Sequence, residues 1–165
     1  MSGSSLNKLI PAYKEVLADG HFQQTYQRLV GIVQKLRTEF NNQYKNEYSV
    51  ANILHGYVDY TYFYLQNDFL KNRKLKLAIV LNHQQVQFEL WLLGQTKPIQ
   101  INYWQRLQGH KWISEVMPEY SVIEIPLLEQ PDFDQEEKLS ASIHQNFTAL
   151  SSQLFDALKV INGNE

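Results

Sequence analysis

Apolar and polar positions alternate most clearly in the middle of the chain. From Lys74 to Leu81 the odd positions Leu75, Leu77, Ile79 and Leu81 are apolar. From Val86 to Leu93 the even positions Val86, Phe88, Leu90 and Leu92 are apolar. A period of two marks a strand with one buried face. A tight turn at His83-Gln84 pairs Leu81 with Val86, Ile79 with Phe88, Leu77 with Leu90 and Leu75 with Leu92. All eight then share one face, and a one-residue slip would scatter them. The reverse face pairs Val80 with Gln87, Ala78 with Glu89 and Lys76 with Trp91. It is polar at the turn end and mixed elsewhere, which predicts partial cover by a helix or a surface used for binding.

Helical spacing brackets this hairpin. Leu6, Leu9, Ile10, Tyr13, Val16 and Leu17 predict a first helix, with Pro11 near its first turn and Asp19-Gly20 as its break. Phe22, Tyr26, Leu29, Val33, Leu36 and Phe40 form one stripe of a second helix, and Asn41–Glu47 reads as a polar connection. Tyr57–Tyr64 is aromatic and β-branched and predicts a strand, followed by a polar loop over Asn67–Arg73. Ile99–Gln108 is helical, with Pro98 suited to a first helical position, Trp104 and Leu107 on the buried side and Gly109 at its end. Ser121–Glu129 alternates as a further strand. After a turn at Pro131–Asp134, the residues Leu139, Ile143, Phe147, Leu150, Leu154 and Leu158 predict a long helix to about Ile161.

The order is α-α-β-β-β-α-β-α. The expected fold is α+β: a mixed, mainly antiparallel sheet of about four strands flanked by helices. Residues 1–5 read as a flexible N-terminal tail and 6–161 as a single domain.

Composition narrows the classes. A chain of 165 residues has the size of one domain and buries roughly 70% of its unfolded surface without a staple. It has no cysteine, which excludes a disulfide framework, a cysteine-based zinc site and a thiol nucleophile. A net charge of −2 exerts no strong pull on nucleic acid or an anionic membrane. Met1–Ser5 is short and polar, no apolar targeting segment follows it, and Leu77–Leu81 is the longest apolar run. The expected location is the cytoplasm. Aromatic residues make up 13% of the chain, enough to serve an interface as well as a core.

The stretch Leu70–Gln100, together with Gly56–Phe63, Tyr103-Trp104 and Pro131-Asp132-Phe133, resembles an uncharacterised bacterial family, a domain of unknown function found mainly in Firmicutes. The similarity covers most of the chain. It brings no established reaction, ligand or catalytic residue.

The element order also matches the core of PD-(D/E)xK nucleases, and so a restriction-endonuclease-like topology. Such a fold places acids on its second and third core strands and a lysine two residues after the second acid, to hold a divalent metal and orient water. Here Glu89 lies on the third strand, but Trp91 stands where the lysine belongs, and the second strand has no acid. Lys76 and Asp59 are the relocated candidates, so any nuclease relative is expected to be degenerate. The competing reading of Lys76 and Glu89 is a cross-strand salt bridge.

His55 and Asp59, four apart, are candidates for acid–base work on a small molecule. The five histidines show no ligand spacing, so no metal site is expected. His83 reads as a turn residue. No G-x-S-x-G and no phosphate-binding glycine loop occurs, and no cofactor is implied.

Lys71, Arg73, Lys74 and Lys76 form the one basic cluster, with Tyr60, Tyr62 and Trp91 expected nearby. Cations beside aromatic faces suit phosphorylated ligands or single strands, although the net charge does not favour nucleic acid. A tyrosine keeps its hydroxyl wet or bonded, so several on one strand predict a half-open groove. The favoured reading is a non-enzymatic binding or interaction module using Tyr60, Tyr62, Arg73, Lys76 and Trp91. A homodimer through either the Phe22–Phe40 stripe or the long final helix, whichever does not pack on the sheet, is a further expectation.

Overall fold

The computed structural model describes residues 3–163. Of the expected tail, residues 1 and 2 lie outside that range. Residues 3–5 have no regular structure and lead into α1 (Leu6–Leu17). There follow α2 (His21–Tyr44), β1 (Ser49–Val50), β2 (Tyr60–Gln66), α3 (Asp68–Asn72), β3 (Leu75–Asn82), β4 (Gln87–Gly94), α4 (Lys97–Arg106), β5 (Ile123–Leu128) and α5 (Glu136–Ile161).

The fold is α+β, as expected. The sheet has five strands in the order β1-β2-β3-β4-β5, and every neighbouring pair is antiparallel. It is thus a meander without the parallel pairing that a mixed sheet would contain. The added strand, β1, is only two residues long, too short to leave a period in the sequence. The strand expected from Tyr57 starts at Tyr60. Gly56 and Val58 have φ of 71° and 65°, so the chain is still turning before that point. The loop expected over Asn67–Arg73 contains the short α3, whose start is capped by the Asn67 side chain accepting from the Leu70 N–H. The helix α2 runs to Tyr44 because Tyr44 still belongs to its buried stripe.

The hairpin keeps the expected face parity but moves in register by two residues. Leu81 pairs with Phe88, Ile79 with Leu90, Leu77 with Leu92 and Leu75 with Gly94. Lys76 therefore stands opposite Leu93, Ala78 opposite Trp91 and Val80 opposite Glu89. The physical reason lies in the turn. A two-residue loop needs positive φ at its central positions, and His83-Gln84 supplies no glycine. Instead Asn82 Oδ1 accepts from the N–H groups of Gln84 and Gln85 at 3.1 and 3.2 Å, which opens a four-residue loop. Val86, expected inside, is a loop residue with φ 49° and is exposed.

The two sheet faces differ in kind. One carries Phe63, Leu65, Leu75, Leu77, Ile79, Leu81, Phe88, Leu90 and Leu92, all essentially buried beneath α2 and α5. Phe40 of α2 and Phe147 of α5 meet there at 5.0 Å between ring centroids, and Phe40 meets Phe63 at 5.4 Å. Truncating a phenylalanine so buried costs about 3–5 kcal/mol. A polar clamp closes the α2–α5 seam. Ser140 Oγ donates to Glu39, and the His144 ring lies 3.2 Å from Glu39 Oε2 and 3.1 Å from the Tyr44 hydroxyl.

The other face has its own small cluster of Ala78, Val80, Trp91 and Leu93 with Tyr60, Tyr62 and Tyr64 against it, and no helix residue belongs to it. The five strands thus cover one side with helices and leave the other to side chains of the sheet itself.

Candidate functional site

The helix-free face is built by strand parity. Tyr60, Tyr62 and Tyr64 alternate outward from β2, while Thr61, Phe63 and Leu65 are buried on the other side. Pairing brings Tyr64, Ala78, Trp91 and Glu124 into one row across β2 to β5. The next row holds Tyr62, Val80, Glu89 and Pro126. Of these rows Tyr62, Tyr64, Ala78 and Trp91, together with Asp59, Tyr60, Lys76, Leu93 and Tyr120, border a groove of about 430 Å³.

The aromatic groups divide into wall and rim. Trp91 is buried and forms the back wall, with Tyr60 edge-on to it at 4.8 Å. Tyr62 and Tyr64 meet at 5.3 Å. Tyr57 is 94% exposed and Tyr120 is 54% exposed, so both rim rings stand largely in water. Burial, and then the neighbouring Tyr62 hydroxyl, pushes the Tyr64 hydroxyl up to about 12. Burial likewise raises Tyr60, helped by the charges of Glu124, Glu89 and Asp59.

Lys76 is the cation of the groove. Its Nζ sits 3.6 Å from the centroid of the Tyr64 ring. Desolvation draws its pKa below the usual lysine value. No carboxylate pairs with it among the described residues. The cross-strand salt bridge to Glu89 does not form. The two-residue register shift places Leu93, and not Trp91, opposite Lys76.

Glu89 is buried, and its charge is satisfied from within the sheet. Trp91 Nε1 donates to Oε1 at 2.8 Å; Gln87 Nε2 and Asn82 Nδ2 donate to Oε2 at 2.8 and 3.1 Å. A carboxylate with both oxygens so occupied is a structural anchor. Glu124, at the edge of the same face, has its carboxyl raised by burial and by the charge of Glu89, against the opposing hydrogen bond from Ser121.

Asp59 lies at the opposite end of the groove. Its Oδ1 accepts from the N–H groups of Tyr57 at 2.9 Å and Tyr60 at 2.6 Å, and these bonds hold its pKa low. It thereby shapes the loop that presents Tyr57. His55 contributes its carbonyl, not its ring: the Tyr26 and Thr61 hydroxyls donate to it at 3.0 and 2.8 Å. The imidazole placed near Asp59 is that of His83, whose pKa burial lowers and Asp59 partly restores. His83 is more than a turn residue, since its Nε2 lies 2.7 Å from Thr61 Oγ1 and its ring packs on Tyr26 at 5.3 Å. Among the described residues no three His, Cys, Asp or Glu side chains cluster as metal ligands.

Arg73, expected beside the groove, is held elsewhere. Its guanidinium covers the Phe69 ring at 3.7 Å, and Nη1 donates to the Phe69 carbonyl. Phe69 packs on Phe155 of α5, on the helical side of the sheet. Lys71 and Lys74 are exposed and do not border the groove. Of the basic cluster only Lys76 enters it.

One supporting residue left a weak sequence signal. Gln100 on α4 is buried, and its Nε2 donates to the carbonyls of Pro118 and Ser121 at 2.8 and 2.9 Å. Lys97 Nζ donates to the Glu119 carbonyl at 2.7 Å. These bonds fix the loop that brings Tyr120 to within 6.5 Å of Tyr60. A glutamine at a buried helical position was the only hint of this. Gly94 permits the approach of α4, since a Cβ there would lie 2.6 Å from the Gln100 nitrogen.

No helix among the described residues is long and apolar enough to cross a membrane. No curated protein and no solved structure matches the chain. The profile of a domain of unknown function, DUF7000, matches residues 6–158, nearly the whole described chain. The chain belongs to that family, the domain of unknown function DUF7000.

Proposed function

We propose that the helix-free face of the sheet is a binding site for a small ligand with a flat, unsaturated body and an anionic group. The observation that carries this is Lys76: a partly desolvated ammonium lying on Tyr64 with no carboxylate partner among the described residues. Desolvating a cation without a counter-charge is costly, and a bound anion offsets that cost. The half-buried rings of Tyr60, Tyr62 and Tyr64 supply faces and hydroxyls for a planar body. Ala78 is the small side chain between the Tyr64 and Trp91 positions, so the floor is lowest next to Lys76. A groove of about 430 Å³ falls within the range of small-molecule sites.

This is a binding module and not an enzyme. The nuclease-like reading draws no support from Glu89, whose oxygens are already bonded, or from Asp59, which caps its own loop. The acid–base reading draws none from His55, whose ring has no bond to Asp59 among the described contacts. Asp59 at the groove, and Glu124 opposite Trp91 on the neighbouring strand, argue against a long polyanion and for a ligand with a single anionic end.

A fragment screen of planar carboxylates, sulfonates and phosphates tests this, read by amide shifts in NMR. Hits are expected to move Tyr60–Tyr64, Ala78 and Trp91. Lys76→Met should weaken them about tenfold, the value of a charge-assisted contact, and Ala78→Leu should block them. Hits that map elsewhere, or that bind Lys76→Met equally well, would overturn the proposal.

A further inference from the structure

Lys76 holds one end of the groove on the helix-free face, and Asp59 holds the other. The Asp59 Oδ1 is occupied by the N–H groups of Tyr57 and Tyr60, while its Oδ2 has no partner among the described residues. The backbone bonds, that from Tyr57 first, keep the carboxyl ionised at neutral pH. No lysine or arginine pairs with it among the described residues. The nearby His83 is neutral there, because burial lowers its pKa below 6.5. Asp59 is therefore an uncompensated anion, as Lys76 is an uncompensated cation.

Aromatic rings stand round this carboxylate. Tyr60 and Tyr120 meet at 6.5 Å with their planes 78° apart, so they form two walls of a corner. Tyr57 borders the same groove from the loop that Asp59 caps, with 94% of its surface in water. That loop is costly to hold, since Val58 is β-branched, exposed and at φ 65°. Ring faces beside a carboxylate suit an organic cation. A primary ammonium would leave N–H groups unmet, because Asp59 has one free oxygen; an alkylated ammonium asks only for faces and charge. A metal ion fits less well, since no three His, Cys, Asp or Glu side chains cluster among the described residues.

We infer, on the reading of the groove as a binding site, that this corner receives a methylated ammonium, so that the ligand is a zwitterion with its anion at Lys76 and its cation among Asp59, Tyr57, Tyr60 and Tyr120. The strand sets the spacing. Lys76 lies on Tyr64, and Tyr60 is four residues from Tyr64 on β2, roughly 13 Å at the rise of a strand, so a body of about two rings separates the charges.

Two acids test this by isothermal titration calorimetry on the full chain: a biphenyl carboxylate with a para trimethylammonium group on its far ring, and the same acid with the neutral, isosteric tert-butyl group. The wild type is expected to bind the zwitterion about tenfold tighter, as a cation on tyrosine faces beside a carboxylate should. Asp59→Asn keeps the Oδ1 acceptor and removes the charge, and Tyr57→Ala and Tyr120→Leu remove rings that stand largely in water. Each variant should shrink the preference by about threefold or more. Tyr57→Ala, at the most exposed of these positions, keeps the test valid if Asp59→Asn unfolds. Equal binding of the two acids by the wild type overturns the inference, and leaves the Lys76 site standing where Lys76→Met weakens both. Failure of both acids to bind overturns it together with the binding site beneath it. A preference that survives in all three variants also overturns it, since the cation then sits elsewhere.

Discussion

Trp91 donates its indole N–H to the carboxylate of Glu89, two residues back on the same strand, at 2.8 Å. Both side chains lie on the helix-free face and both are buried. The bond joins the back wall of the groove to a buried carboxyl group beside it. Glu89→Gln retains an acceptor for Trp91, but turns an NH₂ toward Gln87 and Asn82, which are themselves donors. This substitution should destabilise the protein by about 1–3 kcal/mol. Urea unfolding measures it, and an unchanged midpoint would show that the network contributes nothing.

Lys76 should trade stability for binding. Its folded pKa is depressed, so the unfolded chain holds the lysine proton more tightly. Stability then rises as pH climbs through the depressed folded value toward the unfolded value near 10.5. Lys76→Met should remove that rise and leave the free protein no less stable than wild type at neutral pH. Thermal melts across mildly alkaline pH decide this, and a clear loss of stability in Lys76→Met would contradict it.

Two tyrosines act in the opposite direction at higher pH. Burial pushes Tyr48 and Tyr64 each up to about 12 from 10.0. Their folded pKa lies above the unfolded one, so their stabilisation is complete below pH 10 and is lost as pH rises through about 12. The wild type should therefore unfold progressively in that window. Tyr64→Phe should flatten the dependence, as followed by circular dichroism during an alkaline titration. An identical titration curve for Tyr64→Phe would refute the assignment.

Gln100 sets the rim of the groove from outside it. Gln100→Leu leaves the carbonyls of Pro118 and Ser121 without their buried donor. It should cost about 1–3 kcal/mol and loosen the loop that carries Tyr120. Hydrogen exchange of the 117–121 amides is the direct readout. Faster exchange there, with β2 and β3 unaffected, is the expected result.

Much of this arrangement was legible in the chain. The alternation of Leu75, Leu77, Ile79 and Leu81 fixed which face of β3 meets the helices. The same parity placed Lys76 and Trp91 together on the reverse face, and both border the groove. The aromatic alternation of Tyr60, Tyr62 and Tyr64 announced a half-open surface. The register was less legible, because Asn82 accepts from two loop N–H groups and opens a turn that spacing alone would close at His83-Gln84. Arg73 was misplaced beside the groove because proximity in sequence says nothing of its stacking on Phe69.

The sequence by itself determined what a period of two or of 3.6 residues encodes: the elements, their buried stripes and the two chemically distinct faces of the hairpin. Only the tertiary structure decided which stripes found partners. The stripes of α2 and α5 close over the sheet, whereas no residue of α1 is buried. It alone decided that Glu89 is consumed by its neighbours while Lys76 is left without a counter-ion among the described residues. The reason is that local patterning reports which side chains must leave water, but not which surface will receive them. That depends on contacts between residues distant in sequence, such as Tyr64 with Lys76 and Gln100 with Ser121.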